Sequence, residues 1–131
     1  MRIRMPSRKV CERFHLTYEL YGAKKGVNVL TRYYRVRPMK IVLDGRKVSK
    51  KYRAEYWRNN GYFTKRGLTK RLVLHELYHH IAEAKGLEMT LTKEELEADR
   101  FAREVIKKSE SLSGVHLLFL IFMSSFGSAI I

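Results

Sequence analysis

A chain of 131 residues is long enough for one hydrophobic core and too short for two ordinary ones, so a single domain is expected. The lone cysteine, Cys11, excludes an internal disulfide, and the start MRIRMPSRKV lacks the apolar stretch that a secretory signal carries behind its basic residues, which makes the cytoplasm the expected location. The net charge of +14 is uneven: residues 1–71 hold 21 Lys/Arg against 4 Asp/Glu, whereas residues 72–131 hold 6 against 9, a basic half that suits nucleic acid, anionic lipid or acidic peptide but equally an ordinary solvated surface.

Ser7 is placed to cap a first helix over residues 8–21, where Val10, Phe14, Tyr18 and Tyr21 recur at helical spacing and Gly22 and Gly26 follow to end it. The stretches from Val27 to Val36 and from Met39 to Leu43 are rich in β-branched, aromatic and aliphatic residues. Pro38 separates them and Asp44-Gly45 marks a turn after the second, so two antiparallel strands are predicted. Residues 46–60 are basic and aromatic without a clear pattern, and Gly61-Tyr62-Phe63-Thr64 fits a short strand or a loop. A helix is predicted from Thr69 to Lys85, because Leu72, Val73, Leu77, Ile81 and Ala84 form one apolar face and Gly86 follows as a stop. A last helix is predicted to begin after Thr92, where Thr92-Lys93-Glu94-Glu95 fits a capping box, and to run through Lys108 on Leu96, Phe101, Val105 and Ile106.

The helix over 69–85 carries His75-Glu76-Leu77-Tyr78-His79. Histidines four residues apart project from one helical face about one turn apart, so both can give a ring nitrogen to a single zinc ion. Glu76 beside them is placed as general base, taking a proton from water that attacks a carbonyl. Catalytic zinc usually has three protein ligands, so a further one is required. The extended metzincin pattern would need Gly at position 82 and His at 85, but the sequence has Ala82 and Lys85. In Glu95-Leu96-Glu97-Ala98-Asp99-Arg100-Phe101-Ala102, Glu95 and Asp99 share a helical face, so Glu95 can ligate while Asp99 accepts a hydrogen bond from a ligand histidine. The structural alternative is that Glu95 closes the capping box and Asp99 pairs with Arg103 at the surface.

HELYH followed by ELEADRFA resembles the gluzincin metallopeptidases, in particular the HtpX-type membrane peptidases, the CAAX-prenyl peptidases and the soluble minigluzincins, over roughly residues 68–106. The same segments are similar to the ImmA/IrrE regulatory peptidases, although Asp99 stands where that family more often has Asn. Either resemblance implies one zinc ion per chain on His75, His79 and Glu95, Glu76 as general base, and hydrolysis of a peptide or protein substrate. The gluzincin resemblance also implies a sheet whose edge strand holds extended substrate. With only 15 residues between His79 and Glu95, a compact minigluzincin-like scaffold is the closer comparison. The fold expected is α+β: a single domain over residues 1–110 with a small antiparallel or mixed sheet packed on the active-site helix and the glutamate-bearing helix.

Tyr78, His80 and His116 are each of a type that stabilises an oxyanion, and none is singled out by spacing. His80 is also placed to pair with Glu76, and His15 is expected as a surface or satisfied residue. Residues 111–131 form a separate segment in which Val115 to Ile131 is apolar and, His116 aside, without an ionisable side chain. As a helix it would span about 25 Å, slightly short of a hydrocarbon core of roughly 30 Å. A tail anchor with the catalytic part facing the cytoplasm and a dimer-forming or core helix both stay open, and the resemblance to minigluzincins also permits a segment that blocks the active site. The rival function is a basic nucleic-acid or anionic-lipid binding module that retains a metal site, with Tyr33, Tyr34, Tyr52, Tyr56 and Trp57 available to stack on bases.

Overall fold

Ser7 Oγ accepts the Val10 N–H at 3.3 Å and starts α1, Arg8–Tyr21, as expected. The computed structural model describes residues 3–42 and 69–110, together with the backbone of 54–57 and 61–64. Helix α1 stops at Gly22, whose N–H returns to the Tyr18 carbonyl at 2.9 Å, and α2, Ala23–Tyr34, begins directly after it. Helix α3 is Lys70–Ala84 and helix α4 is Leu91–Ser109.

Two expectations fail in the first hairpin. Gly26 does not end a helix but lies inside α2, and the strand expected from Val27 to Val36 is mostly helix. The physical reason is burial: Val27, Leu30, Thr31 and Tyr34 fall at i, i+3, i+4 and i+7 and turn one face toward α1 and α3, which outweighs the strand preference of Val, Thr and Tyr. Gly26 is what lets the helices come so close. A Cβ there would stand 2.9 Å from Tyr18 Cβ and 3.0 Å from its Cα.

Helices α3 and α4 form a second hairpin. Thr69 caps α3 by accepting the Leu72 N–H at 3.2 Å. At the other end Gly86, with φ 64°, takes the left-handed position that lets its N–H reach the Glu83 carbonyl and the Leu87 N–H reach that of Ala82, both at 3.0 Å. The start of α4 differs from the capping-box reading: its cap is Thr90, which accepts the Lys93 N–H at 3.2 Å, and Thr92 lies inside the first turn. Glu95 is therefore released from any capping role.

The buried core draws on all four helices: Cys11 and Phe14 of α1, Val27 and Leu30 of α2, Val73, Leu74, Leu77 and Ile81 of α3, and Ala98, Phe101 and Val105 of α4. Phe101 packs between Tyr34, 6.2 Å away, and Tyr78, 5.7 Å away, so burying it contributes about 1.5–3 kcal/mol. The leading segment is tied down by Tyr34 Oη donating to the Arg4 carbonyl at 2.7 Å and by Lys108 Nζ donating to that of Pro6 at 2.8 Å.

The α+β expectation is corrected: among the described residues the body is helical, four helices packed on one another, with no sheet as a layer of its core. Among the described residues, strand pairing is confined to a small ribbon, β1 (Ile41–Val42), β2 (Ala54–Trp57) and β3 (Gly61–Thr64), in the order β1-β3-β2. β1 runs parallel to β3 with Ile41 opposite Tyr62, and β2 runs antiparallel to it with Tyr56 opposite Tyr62. The ribbon approaches α3, whereas α4 is packed against α3 and α1. The antiparallel pair expected between 27–36 and 39–43 is absent because its first member is α2. The turn at Asp44-Gly45 and the segment 111–131 lie outside the described residues. Among the described residues, no helix is long and apolar enough to cross a membrane.

Candidate metal centre

The α3–α4 hairpin is antiparallel, and its register sets His75 opposite Asp99 and His79 opposite Glu94 and Glu95. His75 Nδ1–H donates to Asp99 Oδ1 at 2.8 Å, and His79 Nδ1–H donates to Glu94 Oε2 at 2.6 Å. With both Nδ1 atoms so engaged, the two Nε2 atoms face inward, 3.3 Å apart. His75 Nε2 lies 3.1 Å from Glu95 Oε2, and His79 Nε2 lies 2.9 Å from Glu95 Oε1. The residues singled out as ligands from the sequence thus converge, and Asp99, expected to accept from one of the ligand histidines, meets His75.

The geometry brings acceptors together. With protons on Nδ1, each Nε2 presents a lone pair toward the other and toward a carboxylate. Protons on both Nε2 atoms would instead face two donors at 3.3 Å. One proton relieves one of these contacts; a cation among the three groups relieves all of them. His75, His79 and Glu95 offer ligand atoms within 4.8 Å of one another and could hold a metal ion. The two imidazoles are largely buried, while half of the Glu95 side chain and 54% of that of Asp99 are exposed, so the site opens to solvent on its α4 side.

Glu76 follows His75 on α3 and is only 7% exposed, so its carboxyl is buried rather than solvated. Tyr78 is drawn into the core against Phe101. His80 is buried too, and its Nε2–H donates to the Arg37 carbonyl at 2.7 Å, which ties the segment after α2 to α3. Burial holds the His80 pKa below its ordinary value, against the opposing effect of that hydrogen bond. His80 Nε2 is thus engaged away from the inward-facing nitrogens, the Tyr78 ring lies 6.4 Å from that of His79, and His116 lies outside the described residues.

The sequence reading missed Glu94. A helix starting after Thr92 puts this residue inside a capping box, whereas α4 starts two positions earlier and Glu94 faces His79. The hairpin register was the available signal: pairing His75 with Asp99 across a short turn brings the first turn of α4 to His79.

A separate cluster fixes the start of α3. Lys70 pairs with Glu19 of α1, donates to His15 Nδ1 at 2.8 Å and lies 5.4 Å from the centre of the Tyr18 ring. Burial, then the nearby Lys70 charge, lower the His15 pKa; the hydrogen bond from Lys70 lowers that of Glu19. His15 is a satisfied structural residue, as anticipated.

Comparison of the chain with protein-family models, curated proteins and solved structures finds no match.

Proposed function

We propose that this protein is a zinc-dependent endopeptidase of gluzincin type. The observation that carries the reading is the meeting of His75 Nε2, His79 Nε2 and the Glu95 carboxylate, with the buried Glu76 next to His75 in the sequence of α3. Two imidazoles and one carboxylate are a donor set that suits catalytic zinc. Ligand atoms about 2.0–2.1 Å from a tetrahedral zinc lie roughly 3.3 Å from one another. The separations here of 3.3, 3.1 and 2.9 Å between the three groups are close to those edges.

When bound, zinc supplies Lewis acidity, which makes water a better nucleophile and a carbonyl a better electrophile. His75, His79 and Glu95 hold the ion, and Asp99 keeps the His75 ring oriented. Glu76 accepts the proton of the attacking water and returns it to the leaving amine, so amide and water become carboxylic acid and amine. The exposed Glu95 side leaves room for a peptide to approach.

The test separates chemistry from binding. Glu76→Gln should abolish cleavage of an internally quenched peptide library while zinc content stays at the wild-type level. Equal cleavage by this variant would defeat the assignment.

A second reading, a basic binding module that keeps the metal site, draws on α2, where Lys24, Lys25 and Arg32 are exposed. They fall within a sector of about 100° around the helix. Salt-sensitive binding of DNA or anionic vesicles without any peptide cleavage would favour it. Location at a membrane through residues 115–131, with the enzyme facing the cytoplasm, is proposed as part of the first reading.

A further inference from the structure

We propose that Glu94 is a positioning residue that holds His79 in the tautomer and orientation a metal ion requires, so that each ligand histidine has its own carboxylate. The inference rests on the metal-site part of the reading above. It does not depend on peptide hydrolysis.

An imidazole can present either nitrogen, and the hydrogen bond made by one decides which lone pair the other offers. For His75 that bond goes to Asp99, the partner legible in the sequence. For His79 it goes to Glu94, and at 2.6 Å it is the shorter of the two. It is also the better shielded: the Glu94 side chain is 26% exposed against 54% for Asp99, so water competes less for its oxygen. On α4, Glu94 and Asp99 are five residues apart with Glu95 between them, so one carboxylate reaches each ring from either side of the ligating glutamate. The arrangement follows from the hairpin register and needs no loop to adjust.

Carboxylates hydrogen-bonded to ligand histidines also raise the basicity of the metal-facing nitrogen, and losing such a partner typically costs about 10–100-fold in metal affinity. A plain ion pair that only holds α4 to α3 would cost stability without affecting which His79 nitrogen carries the proton. That difference is measurable.

The experiment uses the full chain as wild type, Glu94→Ala, Glu94→Gln and the exposed charge-loss control Glu88→Ala. The His79 tautomer is read by imidazole proton–nitrogen NMR on metal-free protein at pH 8, and zinc affinity by competition with a chromophoric chelator. The expected result is an Nδ1-protonated His79 in wild type and Glu88→Ala, a shift toward Nε2 protonation in Glu94→Ala, and a 10–100-fold weaker zinc affinity in that variant. Glu94→Gln, which keeps an acceptor oxygen, should fold like wild type and fall between. An unchanged tautomer in Glu94→Ala with zinc affinity within twofold of wild type would overturn the role of Glu94 and leave the zinc site standing. Failure of wild type to bind zinc would instead sink the metal reading, while the metal-free tautomer would still decide on Glu94.

Discussion

Replacing Thr90 by alanine removes the side-chain oxygen that accepts the Lys93 N–H at 3.2 Å at the start of α4. The loss of an N-cap typically costs about 1 kcal/mol, within a range of roughly 0.5–2. For a domain of this size that corresponds to a fall in Tm of about 4 °C. Thr92→Ala acts in the opposite direction, because Thr92 is already inside the helix and alanine is the better helix former by up to about 0.7 kcal/mol. The two variants, unfolded by heat and by urea with circular dichroism as readout, should move to opposite sides of wild type. The outcome bears on the site as well as on the helix, since a helix capped by Thr92 would give Glu95 to the cap. A loss in Thr92→Ala with none in Thr90→Ala would refute the helix start and the freedom of Glu95 that depends on it.

Gly26→Ala would press a methyl group to within 2.9 Å of Tyr18 Cβ, and its expected cost is about 1–3 kcal/mol in urea unfolding; wild-type stability would mean that α1 and α2 are not packed this closely. Stability should fall on acidification. His15 has a lowered pKa in the folded protein, so from about pH 6.5 downward the unfolded chain binds more protons. Glu19, whose pKa is also lowered, adds to the loss as pH falls through its range. His15→Gln should therefore narrow the gap between urea midpoints at pH 7.5 and pH 5.5, and an equal gap in both proteins would remove His15 from the explanation. Deleting residues 113–131 should abolish any need for detergent, whereas a full-length chain that stays in solution without it would contradict the membrane proposal.

The local features were the legible ones. Ser7 and Gly22 bracket α1, Thr69 and Gly86 bracket α3, and the four-residue spacing of His75 and His79 is a property of any helix. What the sequence concealed depended on contacts between distant segments. Val27, Val29, Thr31, Tyr33 and Tyr34 have strand preferences that only burial against α1 and α3 overrides. The same spacing did hold the helical pattern, once Val27, Leu30, Thr31 and Tyr34 were read together. At the start of α4 two threonines compete as caps, and the 76% exposure of Leu91 shows that no buried apolar residue marked the first helical position. Glu94 was hidden by that two-residue error, because which carboxylate meets which imidazole is decided by hairpin register and not by spacing along one helix.

The most direct measurement is the zinc content of purified wild type, Glu95→Ala and Glu97→Ala after dialysis against metal-free buffer. About one zinc per chain is expected in wild type and in Glu97→Ala, and a loss of bound zinc in Glu95→Ala. Wild type without zinc, or zinc kept by Glu95→Ala and lost from Glu97→Ala, would contradict the proposed centre.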